Sequence, residues 1–413
     1  MPKGAVGLAS LYWPDDIFRY LPIPSIYLEE GLVERPATKF PDRAALVFDS
    51  RVLTYGQLAT EMERGKNSIL VRLGDHGSRV AIAVAEPADL VPLFLGCLKA
   101  RCSIWLVDLS FAPEDLARQM DAFKPDLVVA EQVTAPKLAE LGGHLALAYV
   151  SELRQSETEL SQTGLQLDPK SPAIALSGRE GRLCYHSHSS LLAGAVSWSA
   201  FVPLKEGEVV MNLQPLYAWE GLYGLAPALF QGGTCIMSDP QDPERLARDI
   251  GENHPSFTWF TKDQMDRLFV HPNRGLLHAV RQNLQGIFLT VSGLLKGGER
   301  RRWGNLLETA VLTVYGWAET GPVLCSHPTW YLEGAVGIQV SNADIWPLSP
   351  ATGNPLQVSW DAMEYGEIGV RSPMTAVAYE TPEEASQRLR GGWLRTGTIA
   401  TMDPNGLFYL RPA

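Results

Sequence analysis

The stretch RVAIAVAEPADLVPLFLGCLKARCSIWLVD, residues 79–108, decides the fold class. Residues 79–85 are β-branched and alanine-rich, which is typical of a buried strand, and residues 88–100 have the pattern of an amphipathic helix. Residues 103–108 repeat the strand pattern. A strand, a helix and a second strand in this order predict a right-handed βαβ unit with parallel strands.

The same alternation continues on both sides of this unit. Residues 45–50 and 125–131 have strand patterns, and residues 53–74 have helical period with charges on one face. The polar stretch 151–170 is the best candidate for an internal linker. Four further strand patterns follow it, at residues 208–215, 234–238, 257–260 and 286–292. The sequence therefore predicts a second α/β region.

The sequence pattern changes near residue 335. The segments GEIGVRS, WLRTGTIATMD and GLFYLRP are short strand patterns separated by glycine, proline and asparagine turns, which predict a small antiparallel sheet or barrel. We therefore expect an α/β protein with two doubly wound α/β subdomains, residues 1–165 and 166–335, and a small β-rich subdomain, residues 336–413.

Composition and charge limit the class of protein. The chain has 413 residues, 46% of them hydrophobic, and a net charge of −11, which disfavours nucleic acid as a partner. Its five cysteines are scattered without a C-x-x-C pair, so neither a disulfide framework nor a zinc site is indicated. No apolar stretch has the length of a membrane span, and prolines and aspartates interrupt the first residues where a signal peptide is apolar. These features predict a cytoplasmic protein.

A glycine-spaced segment, ALSGREGRLCYHSHSSLLAG (175–194), has the frame of a phosphate-binding loop that runs into a helix. Ser177, Gly178 and Gly181 keep this frame. Glu180 lies in its centre, however, and no lysine follows. The segment therefore predicts a phosphate loop with altered chemistry.

Several motifs occur in a specific order: LTYGQL (53–58), the glycine-spaced loop, VYGWAETGP (314–322) and GGWLRTGTIATMDPNGLFYL (391–410). In this order and spacing, the chain resembles the N-terminal domain of the superfamily of acyl- and aryl-CoA synthetases, peptide-synthetase adenylation domains and luciferases. The resemblance covers nearly the whole chain. It implies an adenylation-domain fold and, in active members, ATP- and Mg²⁺-dependent activation of a carboxylate.

The resemblance also implies roles for individual residues. Glu319 occupies the position of a catalytic glutamate that helps to hold Mg²⁺. The remnant nucleotide-binding residues are Ser177, Gly178, Gly181, Tyr315, Gly316, Ala318 and Thr398. The residues expected to line an acyl or aryl pocket are Tyr217, Ala218, Trp219, Gly293 and Trp317.

Several of these positions depart from the family pattern. Arg179 and Glu180 replace the loop threonines, and the proline–lysine pair of the loop is missing. A carboxylate beside a triphosphate costs about 4 kcal/mol per like charge at 4 Å and an effective dielectric of 20. Ala318 replaces the threonine that bonds the α-phosphate, and Thr398 replaces the aspartate that accepts the ribose hydroxyls. The family's C-terminal lid domain, with its catalytic lysine, is also expected to be absent.

These departures favour a degenerate synthetase-like protein that acts by binding. Its ligand is expected to be an acyl or aryl carboxylate or thioester, or a protein partner on an apolar face near residues 391–413. No cofactor is expected, with ATP and Mg²⁺ required only if the site is active, and a homodimer is compatible with the family.

Two alternatives remain open. One is an active AMP-forming ligase completed by a separate C-terminal domain. The other is an ATP-independent acyltransferase in which Cys184 and His186, which would share a strand face with His188, form a nucleophile pair.

Overall fold

The computed structural model describes residues 12–49, 51–74, 77–140, 146–153, 167–202, 204–270, 273–291, 293, 295, 297–326, 332–361 and 363–411. The predicted linker at 151–170 lies largely outside these residues. The described strands are β1 Ala44–Phe48, β2 Arg51–Thr54, β3 Arg79–Ala83, β4 Ser103–Leu106, β5 Leu127–Ala130, β6 Leu147–Tyr149, β7 Pro172–Ser177, β8 Leu183–Ser187, β9 Val209–Asn212, β10 Thr234–Met237, β11 Phe257–Thr261, β12 Gly286–Thr290, β13 Ala310–Trp317, β14 Gly321–Cys325, β15 Ile338–Gln339, β16 Asp344–Leu348, β17 Gly366–Arg371, β18 Ala378–Tyr379, β19 Leu389–Arg390, β20 Trp393–Met402 and β21 Phe408–Leu410.

Helices connect most of the parallel strands. They are α1 Arg35–Lys39, α2 Tyr55–Leu73, α3 Pro87–Lys99, α4 Pro113–Phe123, α5 Ala135–Ala139, α6 Val150–Leu153, α7 His188–Phe201, α8 Trp219–Phe230, α9 Pro243–Asn253, α10 Lys262–Val270, α11 Arg274–Asn283, α12 Glu299–Leu307 and α13 Pro382–Arg388. A π-helical turn at Glu30–Glu34 precedes α1.

A seven-stranded sheet has the order β18-β8-β7-β4-β3-β5-β6. Strand β3 lies between two parallel neighbours, with Val80 opposite Ile104 on β4 and Leu127 on β5. Helix α3 connects β3 to β4, so residues 79–108 form the predicted βαβ unit. The strand and helix patterns that decided the fold class are confirmed.

A nine-stranded sheet has the order β15-β14-β13-β12-β11-β9-β10-β1-β2. Its central strands, from β13 through β9 and β10 to β1, are parallel. Strand β1 joins this sheet through pairs such as Val47 with Ile236. The subdomain boundary expected at residue 165 therefore does not separate the sheets: β1 and β2 belong with the second, while β7 and β8 belong with the first. Periodicity identifies a strand but does not identify its pairing partner.

The small β region forms an antiparallel sheet in the order β16-β17-β20-β19, with β21 paired to β20. The prediction for this part of the chain is confirmed. Strand β18 leaves the region and pairs with β8, placing Tyr379 opposite Cys184. Helix α13 follows directly, so it lies where the first sheet meets the small sheet.

Helix α2 shows how local sequence sets an element. Thr54 accepts from the amide of Gln57, and the Gln57 side chain accepts from the amide of Thr54, which forms a reciprocal capping box. Gly74, at φ 74°, ends the helix. Helix α2 packs against α3 at Gly96, where a Cβ would lie 2.9 Å from the Cα of Gly65. Two glycines thus allow the helices to approach closely.

All five cysteines are free and buried. Among the described residues, no helix combines the length and apolarity needed to cross a bilayer.

Candidate functional site

The altered phosphate loop is a tight connection between β7 and β8. The amide of Gly178 donates to the carbonyl of Arg182 at 2.7 Å, and Arg179–Gly181 form a short 3₁₀ turn. Glu180 and Gly181 both have left-handed backbone, with φ of 58° and 67°. Such a conformation is uncommon for a residue other than glycine. The loop is therefore held in a specific shape.

Two side chains of helix α4 donate hydrogen bonds to this loop. The carbonyl of Gly181 accepts from Arg118 Nη2 at 2.9 Å and from Gln119 Nε2 at 2.5 Å. Arg118 also forms two hydrogen bonds of 3.1 Å with the carboxylate of Glu380, which in turn accepts from the amide of Leu183. These contacts hold the end of the loop that leads into β8. Neither Arg118 nor Gln119 was among the predicted site residues.

Arg179 links three parts of the molecule. Its amide donates to Glu319 Oε1 at 3.0 Å, and its Nη1 donates to the carbonyl of Thr396 at 2.5 Å. The guanidinium lies so close to Gly397 that a Cβ at that position would overlap it. Arg179 thus crosses from the loop to the small sheet, beside the position expected to face a ribose.

Glu319 lies in the turn between β13 and β14 and is 5% exposed. Besides the Arg179 amide, its Oε1 faces Arg388 Nη1 of α13 at 3.8 Å. Arg388 Nε also donates to Glu384 Oε1 at 3.2 Å. A Cβ on Gly178 would lie 2.8 Å from Glu319 Oε1, so the retained glycine lets the loop approach this carboxylate.

Tyr315 and Thr398, two of the predicted nucleotide-binding residues, are neighbours. Tyr315 is fully buried, and its Oη lies 3.3 Å from Thr396 Oγ1 and also within hydrogen-bonding reach of Thr398. Trp317 Nε1 donates to the same Oη at 2.8 Å. Burial raises the pKa of Tyr315, so the phenol stays neutral. The ring is fully enclosed by protein.

Two residues of this motif, Gly316 and Ala318, have backbone roles. A Cβ on Gly316 would overlap the carbonyl of Gly321 in the paired strand β14, so the close approach of β13 and β14 requires glycine. The carbonyl of Ala318 accepts from His186 Nε2 at 2.6 Å. The motif is therefore bound tightly to β8.

A cleft of about 450 Å³ lies between the loop, α13 and the small sheet. Its charged lining consists of four arginines and four glutamates: Arg179, Arg182, Arg388, Arg395, Glu180, Glu367, Glu383 and Glu384. Arg395 Nε donates to Glu367 Oε2 at 2.7 Å. Because Arg388 is bonded to Glu384 and Arg395 to Glu367, half of this charge is neutralised internally.

The proposed nucleophile pair is wrong. Cys184 Sγ donates to the carbonyl of Leu176 at 3.6 Å, and burial raises the pKa of its thiol well above the usual value. His186 Nε2 is bonded to Ala318 and its Nδ1 to Ser190 Oγ at 3.2 Å, so both ring nitrogens have partners other than the thiol. A thiol needs an adjacent base to become a nucleophile.

His188 does not share the strand face expected for it, because β8 ends at Ser187 and His188 begins α7. Its Nδ1 lies 3.3 Å from the buried carboxylate of Glu29.

The residues expected to line an acyl or aryl pocket are only partly brought together. Tyr217 and Ala218 are half-buried directly before α8, and Trp219 begins that helix. The Trp219 ring meets Trp259 edge-on at 5.3 Å. Gly293 instead lines a separate cavity of about 150 Å³ with Leu295, Thr313 and Val336. The lining of that cavity includes neither Trp219 nor Trp317.

An apolar surface was expected near residues 391–413. Within 391–411, the part the structure describes, no large hydrophobic side chain is exposed, and Leu389 lies just outside at 44% exposure. That expectation is wrong, because β20 and β21 turn their apolar residues into the core.

Comparison with known proteins identifies the class. The AMP-binding enzyme family matches residues 33–380, most of the chain. The long-chain-fatty-acid–CoA ligase of Bacillus subtilis is 22% identical, over 96% of this chain and 78% of its own length. The 3-hydroxybenzoate/4-hydroxybenzoate–CoA ligase of Thauera aromatica is also 22% identical, over 94% of this chain and 77% of its own length.

Solved structures show the same fold. The unliganded O-succinylbenzoate coenzyme A synthetase of Bacillus subtilis superposes with a TM-score of 0.82 at 17% identity, covering 92% of this chain and 78% of that one. A benzoate CoA ligase from Burkholderia xenovorans LB400 superposes with a TM-score of 0.83 at 18% identity, covering 93% of this chain and 79% of that one. The chain belongs to the AMP-binding enzyme family, as an acyl- or aryl-CoA ligase-like member with the adenylation-domain fold.

Family members use ATP and Mg²⁺, and the Bacillus synthetase has been solved with both. In this chain, Oε1 of Glu319 already accepts from the Arg179 amide and faces Arg388. Within the described residues, no group of three or more His, Cys, Asp or Glu side chains could hold a metal ion. Glu319, which the resemblance assigns to Mg²⁺, is thus engaged by two groups of this chain.

Proposed function

We propose that this chain binds an acyl or aryl carboxylate, or the corresponding thioester, without carrying out the adenylation reaction typical of its family. The observation that carries the proposal is the position of Arg179. Its guanidinium bonds to Thr396 and packs on Gly397, across the cleft in which active members would hold ATP. A triphosphate would have to displace a charged hydrogen bond and the ion pairs around it.

Substitutions at nucleotide contacts support the same conclusion. Ala318 offers no hydroxyl to an α-phosphate, and its carbonyl is bonded to His186. Thr398 offers no charged acceptor to ribose hydroxyls, a change worth roughly 1.5–3 kcal/mol in binding. Each loss weakens nucleotide affinity by about tenfold or more.

The retained features support ligand binding. Tyr217 and Ala218 border the turn before α8, and Trp219, Trp198 and Trp259 form a packed aromatic cluster beside it. Aromatic side chains with few polar groups are typical of pockets for small apolar ligands. An acyl chain or an aromatic ring therefore suits this region better than a charged amino acid.

Isothermal titration calorimetry tests the proposal. Wild-type protein is titrated with ATP and Mg²⁺ into the millimolar range, and separately with benzoate, 4-hydroxybenzoate, octanoate and their CoA thioesters. We expect no saturation with ATP and saturable heat with at least one acid or thioester. Saturable ATP binding below a millimolar would overturn the proposal.

Variants of the cleft sharpen this test. R179T removes the guanidinium from Thr396 and Gly397, and we expect it to bind ATP more tightly than wild type. Its matched control is R182A, because Arg182 lines the same cleft but is exposed. Equal ATP binding by R179T and R182A would argue against Arg179 as the obstruction.

An active AMP-forming ligase is the second candidate. It is favoured by Glu319, which still faces the phosphate loop through the Arg179 amide. Pyrophosphate exchange in the presence of a carboxylate, lost in E319Q but kept in E180Q, would establish it. Absence of exchange with the whole acid panel would leave the binding function.

A further inference from the structure

A further cavity, of about 250 Å³, lies at the opposite edge of both large sheets from the candidate site. Strand β2 and helices α2, α3 and α6 contribute its walls. Strand β2 ends the nine-stranded sheet, and β6, which leads directly into α6, ends the seven-stranded sheet. The candidate site instead belongs to β7, β8, β13 and β14, near the other ends of these sheets. The cavity is therefore separate from the cleft that Arg179 crosses.

Part of the cavity wall is apolar. Leu93 of α3 and Val150 and Leu153 of α6 line it. Helix α6 is held against α2, because Ser68 Oγ donates to the carbonyl of Leu153 at 2.6 Å. The apolar wall is thus fixed by a hydrogen bond between two helices, and it suits a short branched side chain or a ring.

Arg51 of β2 brings a positive charge to the cavity. Within the residues that the structure describes, its guanidinium has no hydrogen-bond or ion-pair partner. Arg64 lines the same cavity, but its Nη1 donates to Glu61 Oε1 at 2.9 Å. Arg51 is therefore the arginine that can bind an anionic group, and a guanidinium pairs with a carboxylate through two parallel hydrogen bonds.

Helix α3 brings hydrogen-bond acceptors to the cavity. Asp89 lies in the first turn of the helix and lines the cavity. Pro92 lies inside the helix and has no N–H, so the carbonyl of Ala88, four positions earlier, lacks the donor that a regular helix supplies. Ala88 also lines the cavity. A carboxylate and a carbonyl in this position suit an ammonium group, which has three hydrogen atoms to donate.

We propose that this cavity binds a free α-amino acid with an apolar side chain. Arg51 binds the ligand's carboxylate, Asp89 and the Ala88 carbonyl accept from its ammonium group, and Leu93 and Leu153 contact its side chain. The ligand carries one charge of each sign, which matches the two arginines and two acidic residues of the described lining. The proposal does not depend on the proposed acyl or aryl binding, because the two sites share no lining residue.

Isothermal titration calorimetry with a short ligand series tests the ligand class. Wild-type protein is titrated with L-leucine into the millimolar range, and separately with glycine, which lacks the apolar side chain, and with leucinamide, which lacks the carboxylate. We expect saturable heat with leucine and binding at least about tenfold weaker with the other two. No saturation with leucine, or equally tight binding of glycine or leucinamide, would overturn the proposal.

Two variants locate the binding. We expect R51A and D89N each to weaken leucine binding by about tenfold or more, because each removes a charged partner of the ligand. Their matched controls are R301A, at an exposed arginine of α12, and D263N, at an exposed aspartate in the first turn of α10. Both controls should bind leucine as wild type does. Wild-type affinity in either R51A or D89N would overturn the site.

R179T distinguishes this cavity from the candidate site. Arg179 lies in the other cleft, so we expect R179T to bind leucine with wild-type affinity. Loss of leucine binding in R179T would place the amino acid in that cleft and overturn the inference. The outcome of the acid and thioester titrations on wild type does not bear on this result.

Discussion

The guanidinium of Arg388 lies 3.8 Å from the carboxylate of Glu319, joining α13 to the turn after β13. In this position an internal cation faces the carboxylate that family resemblance assigns to Mg²⁺. The same oxygen accepts the Arg179 amide at 3.0 Å. Glu319 therefore has a structural role that does not depend on a nucleotide.

This role predicts the effect of E319Q. Neutralising the carboxylate weakens a hydrogen bond to a charged group and removes the counter-charge of Arg388, so we expect a loss of about 1–3 kcal/mol in the free energy of unfolding. Denaturation by urea measures it. E180Q, an exposed glutamate in the same cleft, should change stability by less than about 0.5 kcal/mol. Equal stability of E319Q and wild type would contradict the structural role.

Arg179 is expected to stabilise the contact between the loop and the small sheet. R179A loses the bond to the Thr396 carbonyl, and we expect it to cost about 1–2 kcal/mol because the side chain is partly exposed to solvent. Thermal unfolding gives the change, with R182A as the comparison. If R182A were destabilised as much as R179A, the effect would be a general one of charge in the cleft.

Burial of His186 predicts a dependence of stability on acid. Desolvation lowers the pKa of His186 from 6.5 to about 4, so the folded state favours neutral imidazole. The unfolded chain binds a proton below pH 6.5, and stability is therefore lost as the pH falls from 6.5 towards 4. The full difference amounts to about 3 kcal/mol.

Urea denaturation at pH 4 and pH 7 measures this effect. H186Q should show a smaller loss between these pH values than wild type does. H278Q, at an exposed histidine of α11, serves as the control and should behave like wild type. A wild-type slope retained in H186Q would assign the acid sensitivity to other groups.

Burial of Glu220 predicts a pH dependence of stability opposite in sign to that of His186. Desolvation raises the pKa of Glu220 from 4.5 to about 7, so the folded state favours the neutral carboxyl. Its contribution to stability is present below pH 4.5 and is lost as the pH rises through about 7. E220Q keeps a neutral side chain, and we expect it to be about 1–3 kcal/mol more stable than wild type at pH 8. E383Q, at an exposed position on α13, should show no such gain.

Tyr223 predicts a stabilising substitution. Y223F keeps the ring and removes a buried hydroxyl that has no partner, so the free energy of unfolding should rise by about 1 kcal/mol. Differential scanning calorimetry would detect the rise in Tm. A fall in stability would mean that the hydroxyl has a hydrogen bond in solution, for example to a water molecule.

Local pattern predicted much of this architecture because periodicity is a property of consecutive residues. The strand–helix–strand order of residues 79–108 and the short strands of the last region are confirmed. The retained Gly178 and Gly316 are explained by close approaches that leave no room for a Cβ. The pairing of β1 with β10 was not predicted. About 190 residues separate the two strands, and a hydrophobic pattern does not specify which strand pairs with which.

The sequence by itself determined the fold class and the family, since both follow from residue types in a fixed order, and it predicted replacements at several nucleotide-contact positions. Only the tertiary structure decided what the replacements do. Arg179 meets Thr396, 217 positions away, and Arg388 meets Glu319. The tertiary structure also showed that Cys184 and His186 have different hydrogen-bond partners, the carbonyls of Leu176 and Ala318, and so do not form a pair. Hydrogen bonds and ion pairs depend on distances of a few ångströms, and those distances are set by how distant segments pack.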